Sequence, residues 1–290
     1  MTSDARPGDR TGGTLYVVAT PIGNLADITL RALDVLRRVP LIAAEDTRLT
    51  RRLLERHRIE SRLTSYHARS AAGRLDALLG HLRDGDDLAL VTDAGTPGVS
   101  DPGVDLVTAW AAESGAVVPI PGPSAVLAAV AATGVAGPRW TFEGFLPRYG
   151  RERRERLAAI AGDARGTVLF EAPGRVAGTL RDLVAACGEE RAGAVARELT
   201  KVHEQIVRGT LGELATALAD GSIPARGEFV LVVGMGESVS RRLPDEDALT
   251  AAQAAVERLV EEGVARGDAA RRIAAETGIP RRRLYRTTDV

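Results

Sequence analysis

The sequence predicts an α/β protein: two α/β domains followed by a small helical appendage. Three observations carry this. Short apolar runs alternate with segments of helical period from Thr14 to Val233. Glycine–proline turns close several of the apolar runs. The chain, at 290 residues, is long enough for two medium domains and an extra piece.

Residues 1–13 are polar, contain glycine, lack the apolar core of a signal peptide and read as a disordered lead-in. Thr14 to Thr20 is a first strand, closed by Pro21-Ile22-Gly23-Asn24. The spacing of Leu30, Leu33, Val35 and Leu36 predicts a helix over Ile28 to Val39, stopped by Pro40. Leu41 to Ala44 is a strand, and Leu49 to His57 a basic helix. Arg62 to Tyr66 is a strand, Arg74 to Arg83 a helix, Leu88 to Thr92 a buried strand and Val104 to Glu113 a helix. Ala116 to Ile120 then runs into Pro121-Gly122-Pro123-Ser124 and the apolar helix Ala125 to Ala132. This is a parallel-rich first domain over residues 14–122.

The boundary falls near Pro123 to Pro138, and a second domain takes residues 123–236. Its strands are Trp140 to Leu146, Thr167 to Glu171, Ala194 to Leu199, Gln205 to Arg208 and Glu228 to Val233. Its helices are Arg151 to Ala161, Val176 to Ala186 and Leu211 to Ala219. Residues 237–290 are a linker, an amphipathic helix over Ala248 to Glu262, and a pattern resembling a helix-turn-helix. That pattern is a short helix from Asp268, a turn at Gly278 and a second short helix through Arg281, Arg282 and Arg283 to Arg286.

Composition narrows the function classes. The net charge of −1 gives no global field for nucleic acid. Lys201 is the only lysine, so abundant arginine reflects usage as much as phosphate binding. Cys187 is the only cysteine, which excludes disulfides and thiolate zinc sites, and the four histidines lack metal-ligand spacing. No metal is expected. No apolar run reaches membrane-spanning length, and a cytoplasmic protein is expected.

The most informative stretch is Val91-Thr92-Asp93-Ala94-Gly95-Thr96-Pro97, at the carboxyl end of a predicted parallel strand, where open α/β sheets bind ligands. Small residues let a ligand approach the backbone, and Asp93 offers an acceptor; a local turn capped by Asp93 is the alternative. The turns at Thr20-Pro21 and Pro121-Gly122-Pro123-Ser124 resemble it. None is a GxGxxG or Walker A loop, so no nucleotide fingerprint of those kinds is present. Such turns suit a compact nucleoside-like cofactor.

Glu45-Asp46-Thr47-Arg48 also follows a strand. One carboxylate could accept a proton while Arg48 holds a phosphate; helix capping by Asp46 or Thr47 is the alternative. Arg197-Glu198-Leu199-Thr200-Lys201 places Lys201 at another strand end, as a polarising group or in a surface ion pair. Arg148, Arg151, Arg153 and Arg154 beside Phe145 read as an RNA edge or as a solvated helix face. From Arg266 onward seven arginines face three acids, which favours nucleic-acid contact through Arg281, Arg282 and Arg283 over a packing appendage or dimer arm.

Six segments in order, Leu15 to Thr29, Ala43 to Arg48, Thr92 to Pro97, Pro121 to Ser124, Glu143 to Pro147 and Ala196 to Lys201, resemble the ribosomal RNA small subunit methyltransferase I family. Those proteins are 16S rRNA cytidine 2′-O-methyltransferases of the tetrapyrrole methylase superfamily. The resemblance runs from about Gly13 to Val233 and extends to the tail. It implies S-adenosylmethionine in the cleft between two α/β domains, a homodimer, and 16S rRNA or the small ribosomal subunit, in its decoding region, as substrate. By motif position it assigns the cofactor to Pro21, Asp93, Ala94, Gly95, Thr96, Ser124 and Ala125, and in the second domain to Phe170, Glu171, Gly227 and Glu228. It leaves Glu45, Asp46 and Lys201 as catalytic candidates, and Arg48, Arg197 and the tail arginines for substrate. The superfamily's usual Gly-Asp-Pro is Thr92-Asp93-Ala94 here, which disfavours tetrapyrrole methylation. Two rival readings are a small-molecule methyltransferase of tetrapyrrole type and a ligand-sensing nucleic-acid-binding regulator.

Overall fold

Apolar runs pair into two sheets, each wrapped by helices. A computed structural model describes residues 12–67, 72–236, 246–277, 279 and 281–284. The first sheet contains β1 (Thr14–Val18), β2 (Leu41–Ala44), β3 (Arg62–Ser65), β4 (Leu88–Val91) and β5 (Ala116–Ile120), in the order β3-β2-β4-β1-β5. Every neighbouring pair is parallel. Strand period explains how both faces are filled. In β4, Ala89 and Val91 face a core with Leu33 and Leu36 of α1 (Leu30–Arg38) and Leu53 and Leu54 of α2 (Thr47–Arg56). Leu88 and Leu90 face the opposite core, with Leu78 and Leu82 of α3 (Ala72–Arg83) and Leu106 and Trp110 of α4 (Val104–Ala112). The helix expected from Leu49 begins at Thr47, because the Asp46 carboxylate accepts the Arg48 backbone N–H and caps it.

The second sheet is mixed: β6 (Trp140–Phe145), β7 (Gly166–Glu171), β10 (Phe229–Val233), β8 (Ala192–Arg197) and β9 (Gln205–Thr210), in that spatial order. β6 and β7 are parallel, and β10 runs antiparallel to both β7 and β8. The start of β10 therefore sits beside the ends of β7 and β8, with Phe229 opposite both Glu171 and Arg197. One face packs on α6 (Arg151–Gly162), α7 (Val176–Cys187) and α8 (Leu211–Ala219). The other packs on Val126 and Ala129 of α5 (Ala125–Thr133) and on Ile22 from the loop after β1. Ile22 joins the two halves in one core.

The chain divides into a large unit of residues 1–161 with 165–234 and a small unit of residues 162–164 with 235–290. Both sheets lie in the large unit. The small one contains α9 (Glu246–Glu261) and α10 (Arg266–Thr277), packed through Ala252, Val256, Ala269, Ala270 and Ile273. The second short helix expected in the tail is a single 3-10 turn over Arg281–Arg283, flanked by the buried Ile279 and Leu284. Tyr285 and Arg286, residues 1–11 of the expected lead-in, and most of the expected linker lie outside the described residues. Among the described residues no helix is long and apolar enough to cross a membrane.

Candidate active site

Parallel pairing brings the carboxyl ends of β1, β2, β4 and β5 to one edge of the first sheet. The loops after β1 and β4 are clipped together there. Thr20 and Gly95 exchange two backbone hydrogen bonds, at 2.8 and 3.1 Å, and the Thr20 hydroxyl donates to the Thr92 carbonyl. Gly95 has φ +86°, which an L side chain rarely adopts. The matching edge of the second sheet presents the ends of β6, β7 and β8 and the start of β10.

A cavity of about 350 Å³ lies between these edges. Ala94, Gly95, Thr96, Ser124 and Ala125 line it from the first set of loops, and Phe170, Glu171, Gly227 and Glu228 from the second. Ile22, Val99, Phe145 and Phe229 add apolar wall. The volume falls within the ~300–1,000 Å³ of small-molecule sites. Ser124 also caps α5, its hydroxyl accepting from the Leu127 N–H.

Two residues assigned to the cofactor do not line the cavity. Pro21 is buried beside Ile22, which does. Asp93 turns to the neighbouring strand end, where its Oδ1 accepts the Asp46 backbone N–H at 2.8 Å. The adjacency of β2 and β4 dictates that contact. Glu171 lines the cavity, but its carboxylate is enclosed: it accepts from the Ala172 N–H and the Thr179 hydroxyl, and pairs with Arg175 at 3.1 Å.

The adjacent acids at the end of β2 differ. Asp46 caps α2 and pairs with its own Arg48 at 2.7 Å; the Arg48 hydrogen bond is the main cause holding its pKa down at about 2. Glu45 Oε2 accepts from the Thr92 hydroxyl at 2.7 Å and the Asp93 N–H at 3.3 Å. Asp101 lines the cavity on the other side of Thr92, near enough to feel the charges of Glu45 and Asp93. Burial, and after it the charge of Glu45, pushes Asp101 up to about 6.

Lys201 Nζ pairs with Glu198 at 2.8 Å and Glu228 at 3.1 Å, so it reaches the cavity wall through Glu228. Burial alone would lower its pKa, but the bonds to Glu198 and Glu228 outweigh burial and raise it. Its segment is tightly built. Glu198 and Thr200 have positive φ, and a Cβ on Gly23 would fall 2.4 Å from the Lys201 Cγ.

Two other expected contacts, of Arg197 and Arg153, are corrected by burial. Arg197, expected to face substrate, is 8% exposed and donates to the carbonyls of Arg226 and His203. Arg153, expected on an RNA edge, is held by Asp182, Thr179 and the Pro147 carbonyl. Arg48 is exposed but engaged by Asp46. Arg281 is exposed, and Arg283 is half-buried with its Nη1 enclosed. Arg282 belongs to the 3-10 turn.

Residues 14–215 match the family model of tetrapyrrole (corrin/porphyrin) methylases. A ribosomal RNA small subunit methyltransferase I from Synechocystis is 46% identical over 273 residues, which is 94% of this chain and 96% of the relative. The chain belongs to the ribosomal RNA small subunit methyltransferase I family. Members from Xylella fastidiosa and Micromonospora olivasterospora are 43% and 44% identical, covering 95% and 97% of this chain and 98% and 88% of their own. The solved methyltransferase CobJ is similar in fold, with TM-score 0.58 at 20% identity over 77% of this chain and 94% of its own. So is uroporphyrin-III C-methyltransferase from Thermus thermophilus complexed with S-adenosylhomocysteine, with TM-score 0.55 at 18% identity over 79% and 99%.

Asp101 is not among the residues expected from the sequence. The signal was an acid bracketed by Gly98 and Gly103 just beyond a strand-end motif, in a loop where Ser100 takes φ +67°.

Proposed function

We propose that this chain transfers a methyl group from S-adenosylmethionine to the ribose 2′-hydroxyl of a cytidine in 16S rRNA of the small ribosomal subunit. The observation that carries this is the near full-length identity to relatives named for ribosomal RNA small subunit methylation. The residues at the cavity fit the cofactor. Phe145 and Phe170, with centroids 5.5 Å apart, offer aromatic surface for an adenine. The backbone of Gly95 and Gly227 admits close approach, and Asp101 and Glu228 supply negative charge for a cationic ligand. Ala94, Thr96, Ser124 and Ala125 complete the holding set.

When bound, S-adenosylmethionine supplies an electrophilic methyl carbon already activated by the sulfonium charge. The chain must then align the hydroxyl and take up its proton. The Glu45–Thr92–Asp101 unit suits the second task. Glu45 is oriented by the Thr92 hydroxyl, and its charge favours a proton on the nearby Asp101, so the two acids take up one proton between them more readily than either alone would. Asp46, already neutralised by Arg48, is the weaker base. Lys201, held protonated, polarises and positions from the Glu228 side. The small unit adds basic surface for the RNA, and a cytoplasmic homodimer completes the reading.

The test is to incubate the protein with labelled S-adenosylmethionine and small ribosomal subunits from cells lacking the gene. Label is expected in 16S rRNA. Label appearing only in a tetrapyrrole substrate, or nowhere, overturns the reading.

A further inference from the structure

The proposed reaction leaves the basic helix α2 without a role. Its sequence, Thr-Arg-Leu-Thr-Arg-Arg-Leu-Leu-Glu-Arg, buries Thr50, Leu53 and Leu54 and turns its arginines outward. Arg48, Arg52 and Arg56 recur at intervals of four, which places them on one stripe with a rise of ~6 Å per step, and Arg51 lies beside it. Like charges at that spacing disfavour a helix. Exposed arginines elsewhere are commonly neutralised, as in Arg83–Glu113, Arg151–Glu155 and Arg266–Glu257. Among the described residues Arg51, Arg52 and Arg56 form no ion pair or side-chain hydrogen bond, although Glu55 shares their helix. This concentration of free positive charge stands out in a chain of net charge −1.

The stripe is also anchored at both ends. It starts at the Asp46 cap, next to Glu45 and the cavity. It finishes at Arg56 and His57, which line an open cleft of about 1030 Å³ with Lys201 and Thr200. His57 Nε2 and Thr200 Oγ1 are buried there without a hydrogen-bond partner. A polyanionic strand lying on α2 would thus run from the cleft to the reaction centre.

We propose that α2 is the phosphate track of the enzyme: a single-stranded RNA segment flanking the target lays its backbone along Arg51, Arg52 and Arg56 and leads into the cleft at His57. The inference rests on the RNA reading above and locates its footprint within the large unit, apart from the tail arginines. Contacts to phosphates carry no base information, so a track made of them supplies affinity and register without sequence choice.

The test measures binding of a labelled single-stranded RNA oligonucleotide to the full chain across a series of salt concentrations. Single-stranded RNA loses about 0.7 in the slope of log affinity against log salt for each phosphate contact removed. The triple substitution Arg51→Ala, Arg52→Ala and Arg56→Ala is expected to flatten that slope by about 2. S-adenosylmethionine affinity and the thermal midpoint should stay at wild-type values. A control removes the same number of charges through Arg37→Ala, Arg38→Ala and Arg181→Ala. An unchanged slope in the triple variant, or an equal flattening in the control, overturns the track. Binding of poly-glutamate in place of RNA by the wild type would identify an acidic-protein surface and also overturn it. The RNA reading itself fails separately, if wild-type protein transfers no methyl group to rRNA.

Discussion

Glu45 and Asp46 are neighbours in the chain, yet they are suited to different tasks. Asp46 is committed to the α2 cap and to Arg48, with its pKa at about 2. Glu45 accepts the Thr92 hydroxyl, and its charge acts on the nearby Asp101. Single-turnover methyl transfer should therefore fall ~10²–10⁴-fold in Glu45→Gln and strongly in Asp101→Asn, and much less in Asp46→Asn. Because Asp101 is raised to about 6, it is protonated below that value and ionised above it. The rate should rise with pH through about 6 in the wild type, and that limb should move or vanish in Asp101→Asn. A single-turnover pH profile checks both statements. Only part of this was legible in the sequence. The carboxylate pair after β2 is visible as a motif, but the approach of Asp101 to Glu45 depends on the conformation of the 98–103 loop. Arg197 shows the same limit, since the sequence reveals its charge but not the two carbonyls that bury it.

Apolar periodicity and turn chemistry located the strands and helices of the large unit to within a few residues. The parallel first sheet followed from the βα alternation. The antiparallel placement of β10 did not, because strand direction in a mixed sheet depends on non-local pairing. That placement builds the second half of the cavity by setting Gly227 against Glu198. Gly227 has φ +85°, and a Cβ there would fall 2.3 Å from the Glu198 carboxyl group. Gly227→Ala should therefore cost ~1–3 kcal/mol of stability and disturb the Glu198–Lys201–Glu228 arrangement. Denaturant unfolding with a parallel activity assay checks this. A wild-type midpoint with wild-type rate would contradict the account of the loop.

For the molecule as a whole, net charge conceals local organisation. The free arginines of α2 and the acids at the cavity occupy different elements, and the small unit has its own apolar core around Val256 and Ile273. A chain ending at Gly236 should keep wild-type S-adenosylmethionine affinity by calorimetry and lose affinity mainly for the small subunit. A ligand-sensing regulator with a nucleic-acid-reading tail would instead lose all nucleic-acid binding on that truncation. The central claim is tested most directly by mapping ribose methylation along 16S rRNA in cells with and without the gene. One cytidine should lose its 2′-O-methyl group in the deletion strain and regain it with the wild-type gene but not with Glu45→Gln. A methylation map identical in all of these strains would contradict the account.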